Sequence, residues 1–204
     1  MVEQAGHEVR ILEGERGNIK VTTQEDLDRL EWLMSQQPGA ASDRGNRVGI
    51  GFDVHTLAAG RKLILGGVEI DHVCGLDGHS DADVLTHAII DALLGATGLG
   101  DIGRLFPDSD PQYKDISSLQ LLRDVAARVR QVGATVVNID AVVMAQAPKL
   151  APHMTAIEQS LAATLEISAA RISVKATTTE RLGYVGRGEG MTAEAICLID
   201  SSQQ

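Results

Sequence analysis

The chain has 204 residues, of which 44% are hydrophobic and 23% charged, so it is long enough to bury a core in one globular domain with a small addition. A formal net charge of -10 and an aromatic content of only 2% argue against binding to nucleic acid, either through the phosphate backbone or by base stacking. The two cysteines, Cys74 and Cys197, are too far apart for a zinc ribbon, and no signal core or apolar span is present, so we expect a cytoplasmic protein with no membrane partner.

The N-terminal segment has the pattern of a small fragment of structure. Residues 8–13 and 18–22 are apolar enough for two short strands. Thr23, with Asp26 three residues later, then predicts the start of an amphipathic helix over 24–34. Two strands and one helix bury too little surface to be stable alone.

The predicted domain organisation has three parts. Residues 1–34 form the N-terminal fragment, and residues 35–46 are rich in Pro, Gly, Ser and Ala, which is typical of a flexible linker. The main domain is predicted over 47–204, because the first long β-branched stretch begins there.

The main domain contains both strands and helices, without a regular βαβ alternation. This order favours an α+β fold with one mixed β-sheet and helices packed on one face. In chain order the expected elements are a strand over 47–55, a hairpin over 62–70, a helix over 81–97, a helix from Ser117 or Ser118 to Val132, a strand over 135–145, a helix over 152–165, a strand over 172–176, a glycine-rich loop over 182–190 and a strand over 191–199.

A metal site is suggested by the Asp53-x-His55 pair at the end of the first strand. Residues two apart on a strand point to the same face, so a carboxylate oxygen and an imidazole nitrogen can aim at one point. His87, on the first long helix, is the candidate third ligand, and such a set suits Zn²⁺ with an open fourth position. Alternatively, His55 is a surface residue and His87 a buried histidine with satisfied hydrogen bonds.

Two further stretches have residues suited to phosphate chemistry. The first is His79-Ser80-Asp81, at a predicted helix N-terminus, where backbone N–H groups favour anions; the alternative is a capping loop with a surface histidine. The second is the run 177–179 of three threonines followed by Glu180, which suits a phosphate with Mg²⁺, or else only a β-forming sequence. A separate stretch, 186–190, places Arg187 and Glu189 among glycines but lacks the Lys-Ser/Thr ending of a phosphate-binding loop, so this pair is either structural or lines a pore or a subunit contact.

Together, these stretches resemble the 2-C-methyl-D-erythritol 2,4-cyclodiphosphate synthase family. The resemblance covers residues 47–200 without obvious gaps. Its motifs are Gly51-Phe52-Asp53-Val54-His55, Gly78-His79-Ser80-Asp81, Leu99-Gly100-Asp101-Ile102-Gly103-Arg104-Leu105-Phe106-Pro107-Asp108, Ala145-Gln146-Ala147-Pro148-Lys149 and Lys175-Ala176-Thr177-Thr178-Thr179-Glu180 continuing through Gly190.

This resemblance implies an enzyme that is a homotrimer around a threefold axis, with an active site at each subunit interface. The implied reaction converts 4-diphosphocytidyl-2-C-methyl-D-erythritol 2-phosphate to the cyclic diphosphate and CMP, a step of non-mevalonate isoprenoid precursor synthesis. The 2-phosphate attacks the β-phosphorus of the same molecule, so the protein need only position the substrate and neutralise charge. A metal-dependent phosphohydrolase and a non-catalytic nucleotide-binding trimer are the alternatives.

The resemblance also assigns roles to individual residues. Asp53, His55 and His87 match zinc ligands, and Glu180 matches a ligand of Mg²⁺ (or Mn²⁺). His79 and Thr178 match positions that stabilise the transition state. The substrate-binding positions are Ser80, Asp101, Ile102, Gly103, Phe106, Pro107, Asp108, Ser109, Asp110, Ala145, Lys149, Leu150, Ala151, Thr177, Thr179, Tyr184 and Arg187. Glu189, with Arg187, matches the lining of a central cavity that is expected to admit an isoprenoid diphosphate.

Residues 3–34 resemble the C-terminal end of a different family, 2-C-methyl-D-erythritol 4-phosphate cytidylyltransferase. The resemblance rests on Gly6-His7-Glu8-Val9-Arg10-Ile11-Leu12-Glu13-Gly14, Asn18-Ile19-Lys20-Val21-Thr22 and Glu25-Asp26-Leu27. The two enzymes occur fused in some bacteria, so this arrangement implies the back end of a bifunctional fusion. The glycine-rich nucleotide-binding part of the cytidylyltransferase does not appear in these residues, so we expect no cytidylyltransferase activity.

Overall fold

A computed structural model describes residues 22–35 and 45–201 of the chain. The chain separates into two compact units, residues 1–42 and 43–204. The predicted strands at 8–13 and 18–22, except for Thr22, lie outside the described residues, as does most of the predicted linker. None of the described helices combines the length and apolarity needed to cross a bilayer.

The first unit contains helix α1 (Gln24–Ser35), whose start is fixed by reciprocal hydrogen bonds. The backbone N–H of Asp26 donates to Thr23 Oγ1 at 3.2 Å, and the backbone N–H of Thr23 donates to Asp26 Oδ2 at 2.9 Å. The hydrogen bonds from Thr22 and Thr23 lower the pKa of Asp26 to about 2. The predicted capping pair is therefore confirmed.

The second unit contains the sheet and the remaining helices. Its strands are β1 (Asn46–Ala59), β2 (Leu63–Leu65), β3 (Val68–Ile70), β4 (Cys74–Leu76), β5 (Thr135–Met144), β6 (Ile172–Thr177) and β7 (Gly190–Asp200). Its helices are α2 (Val84–Thr97), α3 (Ile102–Leu105), α4 (Ser118–Gln131), α5 (Met154–Leu165) and α6 (Gly183–Gly186), with short 3₁₀ turns at Pro111–Tyr113, Ala151–His153 and Ala169–Arg171. The predicted α+β class is confirmed.

Five strands form one mixed sheet in the order β4-β1-β7-β5-β6. β5 and β6 are parallel, and the other neighbours are antiparallel. β1 pairs with β7 from Asn46 to Thr56 and continues beyond that partner to pair with β4. Strands β2 and β3 form a separate hairpin around the turn Gly66-Gly67, as the sequence predicts.

The helices cover one face of this sheet, and α2 lies directly against β1 and β7. Alternation along β1 turns Gly49 and Gly51 toward α2 and leaves the next side chains on the opposite face. That opposite face exposes large apolar side chains, namely Val48, Ile50, Phe52, Val54 and Ile196. Among residues 45–201, the sheet is therefore packed on one side, and its other side is apolar and exposed.

Helix α2 begins at Val84, so the predicted start at Asp81 is wrong. Asp83 is the capping residue, and its carboxylate accepts the backbone N–H of Thr86 at 3.0 Å. The same carboxylate accepts the N–H groups of Gly66 at 2.9 Å and Gly67 at 2.7 Å. This contact with a distant hairpin decides where the helix starts, and local sequence does not reveal it.

Smaller differences also follow from local turns. Helix α5 begins at Met154, because Pro152 lies in the preceding 3₁₀ turn. The predicted loop 182–190 contains the short helix α6, and the strand before it extends to Thr177. The short elements β4 and α3 have too few residues to show a hydrophobic period in the sequence.

Candidate active site and metal centre

Three side chains predicted as metal ligands meet between β1 and α2. Asp53 Oδ2 lies 3.0 Å from His55 Nε2 and 3.0 Å from His87 Nδ1. The two imidazole nitrogens lie 3.2 Å apart. Among the described residues these three form a group of potential ligands whose donor atoms all lie within 4.8 Å of one another.

The close approach of α2 to β1 makes this meeting possible. A Cβ atom added to Gly49 would lie 1.9 Å from the carbonyl oxygen of Ala92, and one added to Gly51 would lie 1.9 Å from that of Ala88. Only glycine fits at both positions, so the strand backbone rests on the helix backbone. Asp53, next on the same face of the strand, therefore reaches His87 on the helix.

The ring of His55 is oriented by a backbone carbonyl that is not part of the ligand cluster. Its Nδ1 lies 2.8 Å from the carbonyl oxygen of Asp77, which can only accept a hydrogen bond. Nδ1 therefore holds a proton, so Nε2 presents a lone pair toward Asp53 in the neutral ring and donates to Asp53 when the ring is protonated. Gly78 gives the ring room, because an added Cβ there would lie 2.9 Å from His55 Cε1.

Burial and hydrogen bonding act in opposite directions on the titrating groups of this cluster. Burial would raise the pKa of Asp53, but its contacts with the His55 and His87 rings outweigh it and hold the pKa at about 2. Burial would lower the pKa of His55, yet its hydrogen bond with Asp53 and the charge of that carboxylate raise it. Two imidazole nitrogens and one carboxylate oxygen therefore converge as a donor set that fits Zn²⁺.

A cavity of about 220 Å³ opens beside the three ligands. The predicted site residues that line it are Asp53, His55, His79, Ser80, His87, Ile102, Gly103, Phe106 and Asp108. His79 Nε2 is buried there and has no hydrogen-bond partner among the described residues. A buried polar nitrogen without a partner is costly, and a turn of the ring toward the cavity would let this nitrogen donate to an anionic ligand.

A second cavity, of about 320 Å³, contains residues predicted for the cytidine side. The predicted residues that line it are Ala145, Lys149, Leu150, Ala151, Thr177 and Thr178. The two cavities share no lining residue among the parts of the chain that the structure describes. Within one chain, the two predicted halves of the substrate site are therefore separate.

Glu180 and Arg181 follow the second cavity in a strained backbone conformation. Both have left-handed backbone, with φ of 52° and 65°. Such strain in non-glycine residues is concentrated at functional sites. Glu180 Oε1 accepts a hydrogen bond from Thr178 Oγ1 at 3.0 Å, whereas Thr179 Oγ1 donates to the carbonyl of Leu182. Thr178 and Glu180 thus lie together, and Thr179 is turned to the backbone.

Other predicted substrate residues lie on loops outside the lining of the metal cavity. Asp101 caps α3, and Asp110 caps the following 3₁₀ turn, so both carboxylates accept backbone N–H groups. The carbonyl of Pro107 accepts the N–H of Asp110 at 2.9 Å, and Ser109 between them is exposed. Tyr184 is partly exposed on α6.

Arg187 and Glu189 form an exposed pair at the end of the glycine-rich segment. Arg187 Nε lies 2.7 Å from Glu189 Oε1 and its Nη2 lies 3.1 Å from Oε2, a two-point contact. The pairing raises the pKa of Arg187 and lowers that of Glu189. Arg187 also lines a separate cavity with His72 and Cys74.

The site contains supporting residues that the sequence motifs do not mark. Arg61 donates to the carbonyls of Leu76 at 3.2 Å, Gly78 at 3.1 Å and Ser80 at 3.0 Å, so it fixes the loop that contains His79. Ser118, which the sequence marks only as a helix cap, lies behind His87. No short-range signal could identify either residue, because each acts across a large sequence separation.

Comparison with known proteins identifies the family. The model of the YgbB family matches residues 46–200. The bifunctional enzyme IspD/IspF of Desulforudis audaxviator is 52% identical over 199 residues, covering 98% of this chain and 49% of that protein. The 2-C-methyl-D-erythritol 2,4-cyclodiphosphate synthase of Chlorobium phaeobacteroides is 58% identical over 158 residues, covering 78% of this chain and 99% of that protein.

A solved structure agrees with these matches. The CDP complex of IspF from Plasmodium falciparum superposes with a TM-score of 0.69 at 33% identity, covering 78% of this chain and 98% of that one. The chain spans about half the length of the bifunctional relative, and that match extends into the N-terminal segment, as the predicted resemblance to a fusion implies. The curated relatives of the chain include 2-C-methyl-D-erythritol 2,4-cyclodiphosphate synthases. Since the family model covers most of its residues, the chain belongs to the YgbB family.

Proposed function

We propose that this chain converts 4-diphosphocytidyl-2-C-methyl-D-erythritol 2-phosphate to 2-C-methyl-D-erythritol 2,4-cyclodiphosphate and CMP. The observation that carries the proposal is the Asp53–His55–His87 cluster in a cavity that His79 also lines, with an Nε2 that has no hydrogen-bond partner among the described residues. Membership of the YgbB family, whose curated relatives are named for this synthase, supports the same reaction.

The reaction requires no nucleophile from the protein. The 2-phosphate oxygen forms a bond to the β-phosphorus of the same molecule, and the bond from that phosphorus to the bridging oxygen of CMP breaks. His79 Nε2 would donate to a phosphate oxygen as charge develops there, and the hydroxyl of Thr178 would do so from the cytidine side. Zinc held by Asp53, His55 and His87 supplies Lewis-acid polarisation of a phosphate oxygen when bound.

The acidic balance of the chain is compatible with a highly charged phosphate substrate. Glu180 is the residue that would hold Mg²⁺ (or Mn²⁺), since that cation is usually bound by one or two carboxylates together with substrate phosphates. Lys149, in the cavity lined by the cytidine-side residues, would add a cation from the protein. Positive charge would thus be concentrated at the substrate, although the whole chain has a formal net charge of -10.

A homotrimer is the assembly that best accounts for the uncovered sheet face and the divided site. Ile50 is 69% exposed and Val48 65% exposed on a sheet face that the helices described between residues 45 and 201 leave open. An exposed apolar patch of this kind marks an interface. Around a threefold axis, the metal cavity of one subunit could then face the cytidine cavity of the next, and Arg187 with Glu189 would line a central cavity suited to an isoprenoid diphosphate.

The proposed domain organisation follows the sequence. Residues 1–34 would correspond to the end of a cytidylyltransferase domain, 35–46 to the linker and 47–204 to the synthase. The match to a bifunctional relative over 98% of the chain supports this division. We expect no cytidylyl transfer by this chain, and detection of that activity in the purified protein would contradict the assignment of 1–34.

The direct test is to incubate the protein with the substrate, Zn²⁺ and Mg²⁺ and to follow the products by phosphorus NMR. We expect CMP and the cyclic diphosphate in equal amounts, and loss of both in His79→Ala. CMP with a linear phosphate product would instead identify a metal-dependent phosphohydrolase. Binding of CMP with no turnover by a folded, zinc-loaded protein would identify a nucleotide-binding module.

A further inference from the structure

The nitrogen of His87 that faces away from the cluster lies between two serine hydroxyls. His87 Nε2 is 2.8 Å from Ser118 Oγ and 3.2 Å from Ser80 Oγ. Ser118 is fully buried, and His87 and Ser80 are each only 8% exposed, so bulk water does not replace these contacts. The direction of the shorter hydrogen bond, to Ser118, therefore determines whether Nε2 carries a proton.

Ser118 is held by a carboxylate on the opposite side. Its backbone N–H donates to Asp81 Oδ2 at 3.0 Å, and its hydroxyl donates to Asp81 Oδ1 in a short hydrogen bond. A carboxylate can only accept, so the single hydroxyl proton of Ser118 is directed to Asp81. Ser118 Oγ then offers only lone pairs to His87, and Nε2 must be the donor.

This chain of hydrogen bonds determines the tautomer of His87. With its proton on Nε2, the ring presents the lone pair of Nδ1 toward Asp53 Oδ2 and His55 Nε2, where a cation would bind. We propose that Asp81 and Ser118 are positioning residues that hold His87 in the metal-binding tautomer and thereby set the zinc affinity. The inference rests on the proposed metal site.

The segments that contain these residues are also tied by their backbones. The N–H of Asp81 donates to the carbonyl of Ile116 at 3.0 Å, and the N–H of Asp115 donates to the carbonyl of His79 at 2.8 Å. Asp81 and Ser118 are thus kept in register without help from the imidazole. Such outer partners orient a metal-binding histidine, and their loss typically weakens metal binding 10- to 100-fold.

Asp81→Asn tests the direction of these hydrogen bonds, because the two side chains have almost the same shape. The backbone N–H of Ser118 still needs an acceptor, so the amide oxygen of the new side chain takes that contact. Its NH₂ group then faces Ser118 Oγ and donates to it, and the Ser118 hydroxyl must turn and donate to His87. His87 would have to accept at Nε2 and hold its proton on Nδ1, which blocks the metal-facing nitrogen.

The first measurement is the tautomer itself, in zinc-free protein, by two-bond proton–nitrogen NMR correlation at about pH 9, where free imidazole is neutral. In the wild type we expect the protonated nitrogen of His87 to be Nε2, and in Asp81→Asn to be Nδ1. The signals are assigned by their absence in His87→Gln. An unchanged tautomer in Asp81→Asn would overturn the inference, whether or not the protein is a synthase.

The second measurement is zinc affinity by competition with a chelator. We expect the dissociation constant to rise roughly 10- to 100-fold in Asp81→Asn and roughly tenfold in Ser118→Ala, which leaves only the 3.2 Å contact to Ser80. Asp124→Asn removes the same charge from an exposed position on α4 and should bind zinc like the wild type. Wild-type affinity in a folded Asp81→Asn protein would contradict the inference, whereas absence of zinc binding in the wild type would contradict the proposed metal site as well.

Discussion

At the scale of single residues, the negative charge of Asp53 favours protonation of the neighbouring His55. Burial would raise its pKa, yet its contacts with the His55 and His87 rings bring it to about 2, and the hydrogen bond with Asp53 and its charge raise the pKa of His55. In the metal-free protein a proton on His55 therefore takes the place of a cation beside the carboxylate. A proton and the proposed zinc ion would therefore compete for one site.

This competition predicts a pH window in the stability of zinc-free protein. The lowered pKa of Asp53 gives stability that is present above its unfolded value of 3.8 and is lost as the pH falls toward about 2. The raised pKa of His55 gives stability that is present below its unfolded value of 6.5 and is lost as the pH rises through the folded pKa. Both contributions are present together between these two unfolded values.

The measurement is urea unfolding of chelator-treated protein at a series of pH values. We expect the free energy of unfolding of the wild type, relative to Asp53→Asn, to be greatest between pH 3.8 and 6.5 and to decline on both sides. A difference between the two proteins that does not vary with pH would show that Asp53 and His55 are not coupled.

The chemistry of the site residues can be predicted only in part from the sequence. The spacing of Asp53 and His55 on a strand predicts that their donor atoms converge, and the structure places them 3.0 Å apart. The sequence does not reveal which nitrogen of each imidazole ring is protonated. The hydrogen-bond partners that decide this, Asp77 for His55 and Ser118 for His87, come from turns and helices far along the chain. Spacing identifies candidate ligands, and tertiary packing decides their tautomers.

At the scale of elements, the contact between β1 and α2 builds the site. The strand backbone lies against the helix backbone at Gly49 and Gly51, and the short distance between them lets Asp53 contact His87. The sequence shows these glycines in an otherwise β-branched strand, where a glycine indicates a bulge or a close approach. Which element approaches follows only from the fold, and for the same reason the start of α2 depends on the contact of Asp83 with the β2–β3 turn.

Gly51→Ala is expected to disrupt this contact. The added methyl would lie 1.9 Å from the carbonyl oxygen of Ala88, and backbone cannot turn aside as a side chain can, so strand and helix must separate. We expect a loss of roughly 3 kcal/mol in the free energy of unfolding, together with weaker zinc binding as Asp53 moves from His87. Urea unfolding and chelator competition measure the two effects.

The matched control is Gly95→Ala, on α2 itself. An added Cβ there meets only the carbonyl oxygen of Ile50, at 3.9 Å, so the change has room. Replacing glycine by alanine inside a helix should then stabilise the protein by about 0.5–1 kcal/mol. If Gly51→Ala were as stable as the wild type while Gly95→Ala behaved as expected, the close contact would not limit the fold.

At the scale of the whole molecule, the exposed apolar face of the sheet within residues 45–201 is a surface that the fold of one chain does not explain. We expect Ile50→Asp to break the proposed trimer, because a charge at the centre of an apolar interface must be desolvated without a partner. Val73→Asp is the control, since Val73 is 83% exposed in the turn before β4. Sedimentation velocity should give a lighter species for the first variant and an unchanged trimer for the second. A trimeric Ile50→Asp protein would place the interface elsewhere.

The division of the predicted substrate site between two cavities gives a sharper test of assembly. His79 lines the metal cavity and Lys149 the other, so His79→Ala and Lys149→Ala each disable one half. If each active site joins halves from neighbouring subunits, a mixed trimer contains some interfaces with His79 from one chain and Lys149 from the next. Random mixing in equal amounts leaves roughly a quarter of the interfaces intact, so we expect roughly a quarter of the wild-type activity.

The controls are the two variants alone, each of which should be nearly inactive, and a mixture prepared without subunit exchange. If both halves of a site came from one chain, no mixing could restore an intact site, because every chain contains one of the two substitutions. Recovery after co-refolding, measured as cyclic diphosphate by phosphorus NMR, therefore distinguishes a shared site from a self-contained one. Activity that stays at the level of the separate variants, in trimers shown to be mixed, would mean that the metal cavity of each chain works without its neighbour.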